Sequence, residues 1–231
     1  MKITWLGQAG LMMETGGKTI LIDPYLSDNV KNFEPKNYRR VPVDEHFLQI
    51  KPDVIIITHN HLDHLDKETL KYYLTEDATS LVLAPNGGWQ EIRKFGGSSN
   101  YVLFNNGTTW TQDQVVFRAV KAEHSDAYAI GAIISAEGEN YYITGDTLYS
   151  EDVFKSLPDM PLKAVFLPIN GVGNNMNATD AAAFAKRTGA KFAVPIHVGM
   201  FDSIDPNVFA AENKVIPEIY REIKFEQEVC V

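Results

Sequence analysis

Cysteine is nearly missing from this chain: its 231 residues contain one, Cys230, beside the C-terminus. That excludes an internal disulfide framework, a CxxC redox pair and a thiolate zinc site, and leaves Cys230 as a terminal thiol with no partner and no catalytic part. A basic excess is missing too. Lys and Arg number 21 against 30 Asp and Glu, a formal charge of −9, whereas a surface that follows a phosphate backbone carries clustered cations. No nucleic-acid partner is expected. No apolar run approaches the ~20 residues of a bilayer span. The start Met1-Lys2-Ile3-Thr4-Trp5-Leu6-Gly7 lacks the basic and long apolar regions of a signal peptide. A cytoplasmic chain with no membrane partner is the expectation. Repeats, low-complexity tracts and Gly/Ser linkers are also lacking, which suits one domain over residues 1–231.

What is present is ordinary globular material, 45% hydrophobic and 22% charged. Most of it reads as short strands. Ile3 to Leu6 and Thr19 to Ile22 suggest a first hairpin with Gly16-Gly17 in its turn. Asp53 to Thr58 is a β-branched run suited to a strand buried on both faces. Further strands are expected at 81–84, 101–104, 115–120, 130–135, 141–144, 164–169 and 192–196. Asp66 can cap a helix bearing Leu70, Tyr73 and Leu74, and Asn177 one that ends before Gly189. A third helix is expected within Pro206 to Glu222. Residues 27–47 lack pattern and read as a long loop over a site. Too few helices follow the strands for an open parallel sheet; two facing sheets with helices outside fit better.

Three of the six histidines fall in Thr58-His59-Asn60-His61-Leu62-Asp63-His64. At this composition an H-x-H-x-D-H motif arises by chance in about 3 of 10,000 such chains. The cluster follows a buried strand and precedes a helix cap, where a loop can present ligands from a fixed base. His124, Asp146 and His197 each sit just past another apolar run. Imidazole and carboxylate together suit zinc, manganese or iron. Two such ions repel, so a carboxylate must lie between them, and Asp146, following a glycine, is the candidate. Asp23, at a strand end, can hold the far nitrogen of a ligating histidine, or serve as a turn aspartate before Pro24. Thr58 and Thr147 adjoin ligands and can bond nearby carboxylates. Asn170 opens Gly171-Val-Gly173-Asn-Asn175, which suits an anionic or sugar-like group, or a plain turn. Tyr25, His46 and Phe47 are candidates for the mouth of the site, although His46 by itself reads as a surface residue.

The set His59-x-His61-x-Asp63-His64, then His124, Asp146 and His197, resembles the metallo-β-lactamase superfamily of metal-dependent hydrolases. Leu21-Ile-Asp-Pro-Tyr-Leu-Ser27, Thr144-Gly-Asp-Thr147, Leu167-Pro-Ile-Asn170 and Val194-Pro-Ile-His197 are similar to the branch containing the L-ascorbate-6-phosphate lactonases. The resemblance implies an α/β fold, a four-layer αββα sandwich. It implies two divalent ions per chain, zinc foremost, with manganese or iron as alternatives. One is held by His59, His61 and His124, the other by Asp63, His64 and His197, with Asp146 between. Asp146 in place of a cysteine argues against antibiotic hydrolysis, and His61 in place of glutamate against the oxygen-reducing di-iron branch. The chain is shorter than those lactonases, so parts of their pocket can be missing. The expected activity is hydrolysis of a small ester or lactone, such as a phosphorylated sugar lactone, by a hydroxide shared between the ions, with Asp63 and Asp146 as the catalytic carboxylates. Phosphodiester hydrolysis and a non-catalytic metal-binding domain are the alternatives. A small-molecule partner and self-association complete the expectations.

Overall fold

A computed structural model describes residues 1–225; Cys230 lies outside them. In one sheet β1 (Lys2–Gly7), β2 (Gly10–Thr15), β3 (Lys18–Ile22), β4 (Val54–Ile56), β5 (Leu81–Ala84) and β6 (Asn100–Leu103) lie side by side in chain order. In the other the same holds for β7 (Thr109–Gln112), β8 (Val115–Lys121), β9 (Ile130–Ala136), β10 (Glu139–Ile143), β11 (Ala164–Pro168) and β12 (Phe192–Ile196). Each sheet begins antiparallel and ends parallel, the change falling at β3–β4 and at β10–β11. Parallel neighbours need a crossover, and the helices supply it. These are α1 (Lys67–Tyr73), α2 (Asn86–Ile92), α3 (Glu151–Ser156) and α4 (Ala178–Thr188). The β3-to-β4 crossover is instead the long segment from Ser27, which carries only the 3-10 turns Asn29–Asn32 and Glu45–Gln49.

The two sheets face each other across one apolar interior. Ile20, Val54, Ile56 and Leu83 from the first pack with Phe117, Ile134, Phe166 and Val194 from the second. Alternate residues of the first sheet, Leu21, Ile55 and Val82, point outward against Leu70, Tyr73 and Ile92 of α1 and α2. This is why β4 is a continuous apolar run rather than an alternating one. On the far side Val153 of α3 and Phe184 of α4 cover the second sheet. The result is the metallo-β-lactamase fold, with helices outside two mixed sheets. No described helix is long and apolar enough to cross a membrane.

Two expectations are corrected. The Gly16-Gly17 turn, with φ of 55° and 74°, joins β2 to β3, and β1 pairs with β2. A two-residue loop can connect only adjacent strands, and β2 carries no alternating pattern because Leu11, Met12 and Met13 are all buried. The helix expected within 206–222 is a single 3-10 turn, Pro206–Val208, followed by extended chain. There Tyr220 N–H donates to Trp5 O and Ile223 N–H to Ile3 O, while Val215 N–H donates to Ala193 O. The segment covers the exposed edges of β1 and β12, satisfying backbone groups a helix would leave open. Among the unanticipated elements, α2 contains Gly87 and Gly88, residues that disfavour helices. A Cβ on Gly87 would lie 3.1 Å from Asn60 Nδ2, and one on Gly88 3.4 Å from Ile57. Close packing beneath the histidine loop, rather than propensity, put glycine there.

Candidate metal centre

The seven residues singled out from sequence converge at one end of the sandwich. The first sheet contributes His59, His61, Asp63 and His64 from the loop after β4. The second contributes His124 beyond β8, Asp146 beyond β10 and His197 directly after β12. Their donor atoms form three groups, each spanning no more than 4.8 Å: His59, His61 and His124; Asp63, His64 and His197; and His59, His64 and Asp146. The third group links the other two. His61 Nδ1 lies 3.2 Å from His124 Nε2. His197 Nε2 lies 3.2 Å from an oxygen of Asp63 and 3.2 Å from Oδ2 of Asp146, whose Oδ1 is 3.3 Å from His64 Nε2.

Each imidazole has one nitrogen anchored and the other turned to the centre. His64 Nδ1 is 2.7 Å from Asp23 Oδ2. Thr58 donates both its amide and its hydroxyl to Asp23, and its hydroxyl oxygen lies 3.0 Å from His59 Nδ1. His124 Nδ1 faces Asn174 O at 3.3 Å, and His61 Nε2 faces Ser125 Oγ at 3.3 Å. Metal-binding histidines are held in this manner, since the outer contact fixes tautomer and ring orientation. His59 Nε2 and Asp146 Oδ1 are buried without a hydrogen-bond partner. Native interiors rarely leave such atoms orphaned. A cation among them satisfies both, so the donor set fits divalent metal.

Charge points the same way. Burial pushes the His59 imidazole well below its ordinary range, leaving it neutral and free to ligate. At His197 burial acts downward too, but Asp146 and Asp63 override it and hold the pKa up at about 10. His64 is likewise raised against its burial by Asp146, Asp63 and Asp23. Burial would lift both carboxylates, yet the two imidazoles keep Asp63 and Asp146 well below the usual carboxylate range. A centre that retains protons on buried imidazoles is one where cations can replace them.

The backbone is bent to build this arrangement. Gln8, Asp23 and His197 are non-glycine residues at φ of 50°, 43° and 57°, and such strain gathers at functional sites. His197 N–H donates to Gln8 O and Ile130 N–H to Thr58 O, stitching the sheets together beside the centre. Before Asp146, Gly145 has φ of 62°, and a Cβ there would lie 2.6 Å from Ile130 O. Only glycine allows that approach.

Other candidates have different places. Thr147 does not bond a carboxylate: its hydroxyl accepts from Glu123 N–H and donates to Leu148 O, steadying the segment before His124. Tyr25 is fully buried rather than at the mouth, and its hydroxyl accepts from Val30 N–H. Phe47 is buried in the outer core, and exposed His46 lies over it, away from the centre. Asn170 does border the centre, its Nδ2 3.1 Å from His197 Nδ1 and its Oδ1 buried without a partner. Exchanging the amide nitrogen and oxygen lets Oδ1 accept from Nδ1–H, the ordinary resolution of such a clash. Two amides were not anticipated. Gln8 Nε2 donates to Asp63 at 2.8 Å, and Asn175 Nδ2 donates to Asp146 Oδ2 at 2.9 Å. Asn175 belongs to the Gly-rich loop after Asn170, which has a pattern in the sequence, whereas the Gly7-Gln8-Ala9-Gly10 turn carries no signal for Gln8.

The comparisons with known proteins agree with this geometry. The family model described as "Beta-lactamase superfamily domain" matches residues 2–197. A "UPF0173 metal-dependent hydrolase" of Geobacillus thermodenitrificans is 31% identical over 228 residues, covering 91% of this chain and 92% of the relative. One of Sulfurisphaera tokodaii is 32% identical over 232 residues, covering 91% of each. Among solved structures, the metallo hydrolase Igni18 of Ignicoccus hospitalis shares the fold with a TM-score of 0.78 at 21% identity, over 98% of this chain and 99% of that one. An isothiocyanate hydrolase from Delia radicum gut bacteria gives 0.75 at 22% identity, over 98% and 100%. With its histidine and aspartate cluster intact, the chain belongs to the metallo-β-lactamase superfamily of metal-dependent hydrolases, in the UPF0173 family.

Proposed function

We propose that the protein hydrolyses a small ester or lactone with two divalent ions, zinc or else manganese or iron. The observation that carries this is the two ligand groups joined through His59, His64 and Asp146. His59, His61 and His124 would hold one ion, and Asp63, His64 and His197 the other, with Asp146 between. Ions in such a pair supply a water of lowered pKa and polarise the oxygen of the group under attack.

The chain's own groups account for the rest. Asp63 is partly exposed at the cavity wall, held in orientation by Gln8, and its carboxylate is available to accept a proton from attacking water. Asp146, fixed by Asn175, stays ionised and balances cationic charge between the two groups. Buried His59 and His64 close the inner side, while His61, Asp63 and His124 are partly open. Substrate therefore approaches from one face. The motifs that resemble those of the L-ascorbate-6-phosphate lactonases support an acyl rather than a phosphoryl centre.

The test is turnover of lactone, ester and phosphodiester panels by metal-loaded protein, with and without chelator. Chelator-sensitive acyl hydrolysis is expected, lost in Asp63→Asn by about a hundredfold or more. Metal-dependent cleavage of phosphodiesters alone, or tight binding of two ions with no turnover, would overturn it.

A further inference from the structure

The centre opens into a cavity of about 550 Å³, a volume suited to one small organic ligand. Its outer wall is partly apolar, with Val30, Val172 and Phe201, and partly amide, with Asn37 and Asn60. The remaining charged side chains there are Glu34 and Asp202, both carboxylates. No lysine or arginine among the described residues lines it. Three of the covering loop's four cations are turned elsewhere, and the fourth, Lys36, is exposed and does not line the cavity. Lys31 pairs with Asp28, Arg39 donates to Tyr25 O and Tyr220, and Arg40 stacks on Tyr38.

We propose that the site selects uncharged substrates, with a small apolar group beside Val30, Val172 and Phe201, and excludes anionic ones through Glu34 and Asp202. This rests on the hydrolytic reading above and narrows it. Away from the metal centre, a phosphate or carboxylate at the far end of the substrate would meet the carboxylates of Glu34 and Asp202 and no side-chain cation, and like charges in a partly closed cleft are costly. The phosphorylated sugar lactone implied by the sequence resemblance does not suit this wall. An ester or lactone with a short alkyl or hydroxylated arm does, because the Asn60 amide can serve hydroxyl groups in either direction and Asn37, whose Nδ2 donates to Glu34, offers its carbonyl oxygen.

The experiment compares two probes of the same length and the same metal-seeking group. Zinc-loaded protein is titrated calorimetrically with butyrohydroxamate and with succinic monohydroxamate, which carries a carboxylate at its far end. The neutral probe is expected to bind about tenfold tighter or better. Glu34→Gln should narrow the gap about threefold, and added salt should narrow it as well. Equal or tighter binding of the carboxylate probe overturns the proposal, and so does binding of neither. The hydrolytic reading fails separately: no chelator-sensitive turnover while the two probes still rank by charge would remove that reading and leave the selectivity standing.

Discussion

Asp23 shows how much a single side chain outside the ligand set can carry. It accepts from Thr58 twice and holds His64 Nδ1 at 2.7 Å, in full burial. Asp23→Asn keeps the shape and tolerates the left-handed backbone, but removes the charge that orients the imidazole. Metal affinity should fall about 10- to 100-fold, read by competition with a chromophoric chelator; unchanged affinity would refute this role. Asn170 makes a paired case. If its Oδ1 accepts from His197, Asn170→Asp should bind metal within a few-fold of the parent, while Asn170→Leu should lose about tenfold. Equal loss in both would assign the residue another task. Gly145 is a purely steric case: Gly145→Ala forces a Cβ 2.6 Å from Ile130 O at φ of 62°. A stability loss of more than about 1 kcal/mol, with weakened metal binding as Asp146 shifts, should appear in denaturant titration.

At the scale of elements, the site depends on strands that end where chemistry begins. Buried β4, β10 and β12 anchor the backbone, and the residues just past them are free to turn. Much of this was legible in the sequence. The apolar runs at 54–56, 81–84 and 192–196, and the helices capped by Asp66 and Asn177, come from local preference and burial pattern, and such signals survive folding. Asn177 Oδ1 accepts from Thr179 and Asp180 N–H, and Gly189 closes α4 at φ of 66°. Asn177→Ala should cost about 1 kcal/mol, lowering Tm by about 2–4 °C in calorimetry. Elements decided by their neighbours were not legible. Residues 206–222 carry helix-like composition, yet they lie extended because two sheet edges supply backbone partners. Polar β7 and Gly-bearing α2 likewise owe their conformation to what they pack against.

For the whole molecule, the centre is a clamp between sheets, with four ligand candidates from one and three from the other. Metal bound only by the folded chain adds stability, about 2.7 kcal/mol at a hundredfold excess over Kd. Chelation should therefore lower Tm, and a Tm indifferent to metal would contradict a centre shared by both sheets. Protons compete for the same nitrogens. His197 is held up at about 10 by Asp146 and Asp63 against its burial, so at neutral pH metal must displace its proton. Affinity should rise from pH 6 to pH 8, with proton release visible as a buffer-dependent calorimetric heat. In chelator-stripped protein the sign reverses. Because the folded pKa of His197 is raised, its contribution to stability is full below about 6.5 and is lost as pH climbs through about 10. Denaturant midpoints across that range would test it.

The residue types and their spacing were sufficient to specify the seven convergent donors, the fold class and the superfamily, because a ligand cluster at a strand end is a local feature and its chemistry resides in the side chains themselves. Only the tertiary structure could decide what surrounds them. Gln8 and Ser125 reach the centre from segments with no motif of their own, and Asn175 from a Gly-rich loop whose pattern does not single it out; Tyr25 is drawn inward and Thr147 toward the backbone. The cavity wall joins residues 30–37 with 201–202, and no local pattern records that meeting. Its charge is a sum over segments far apart in the chain, and such sums exist only once the chain has folded.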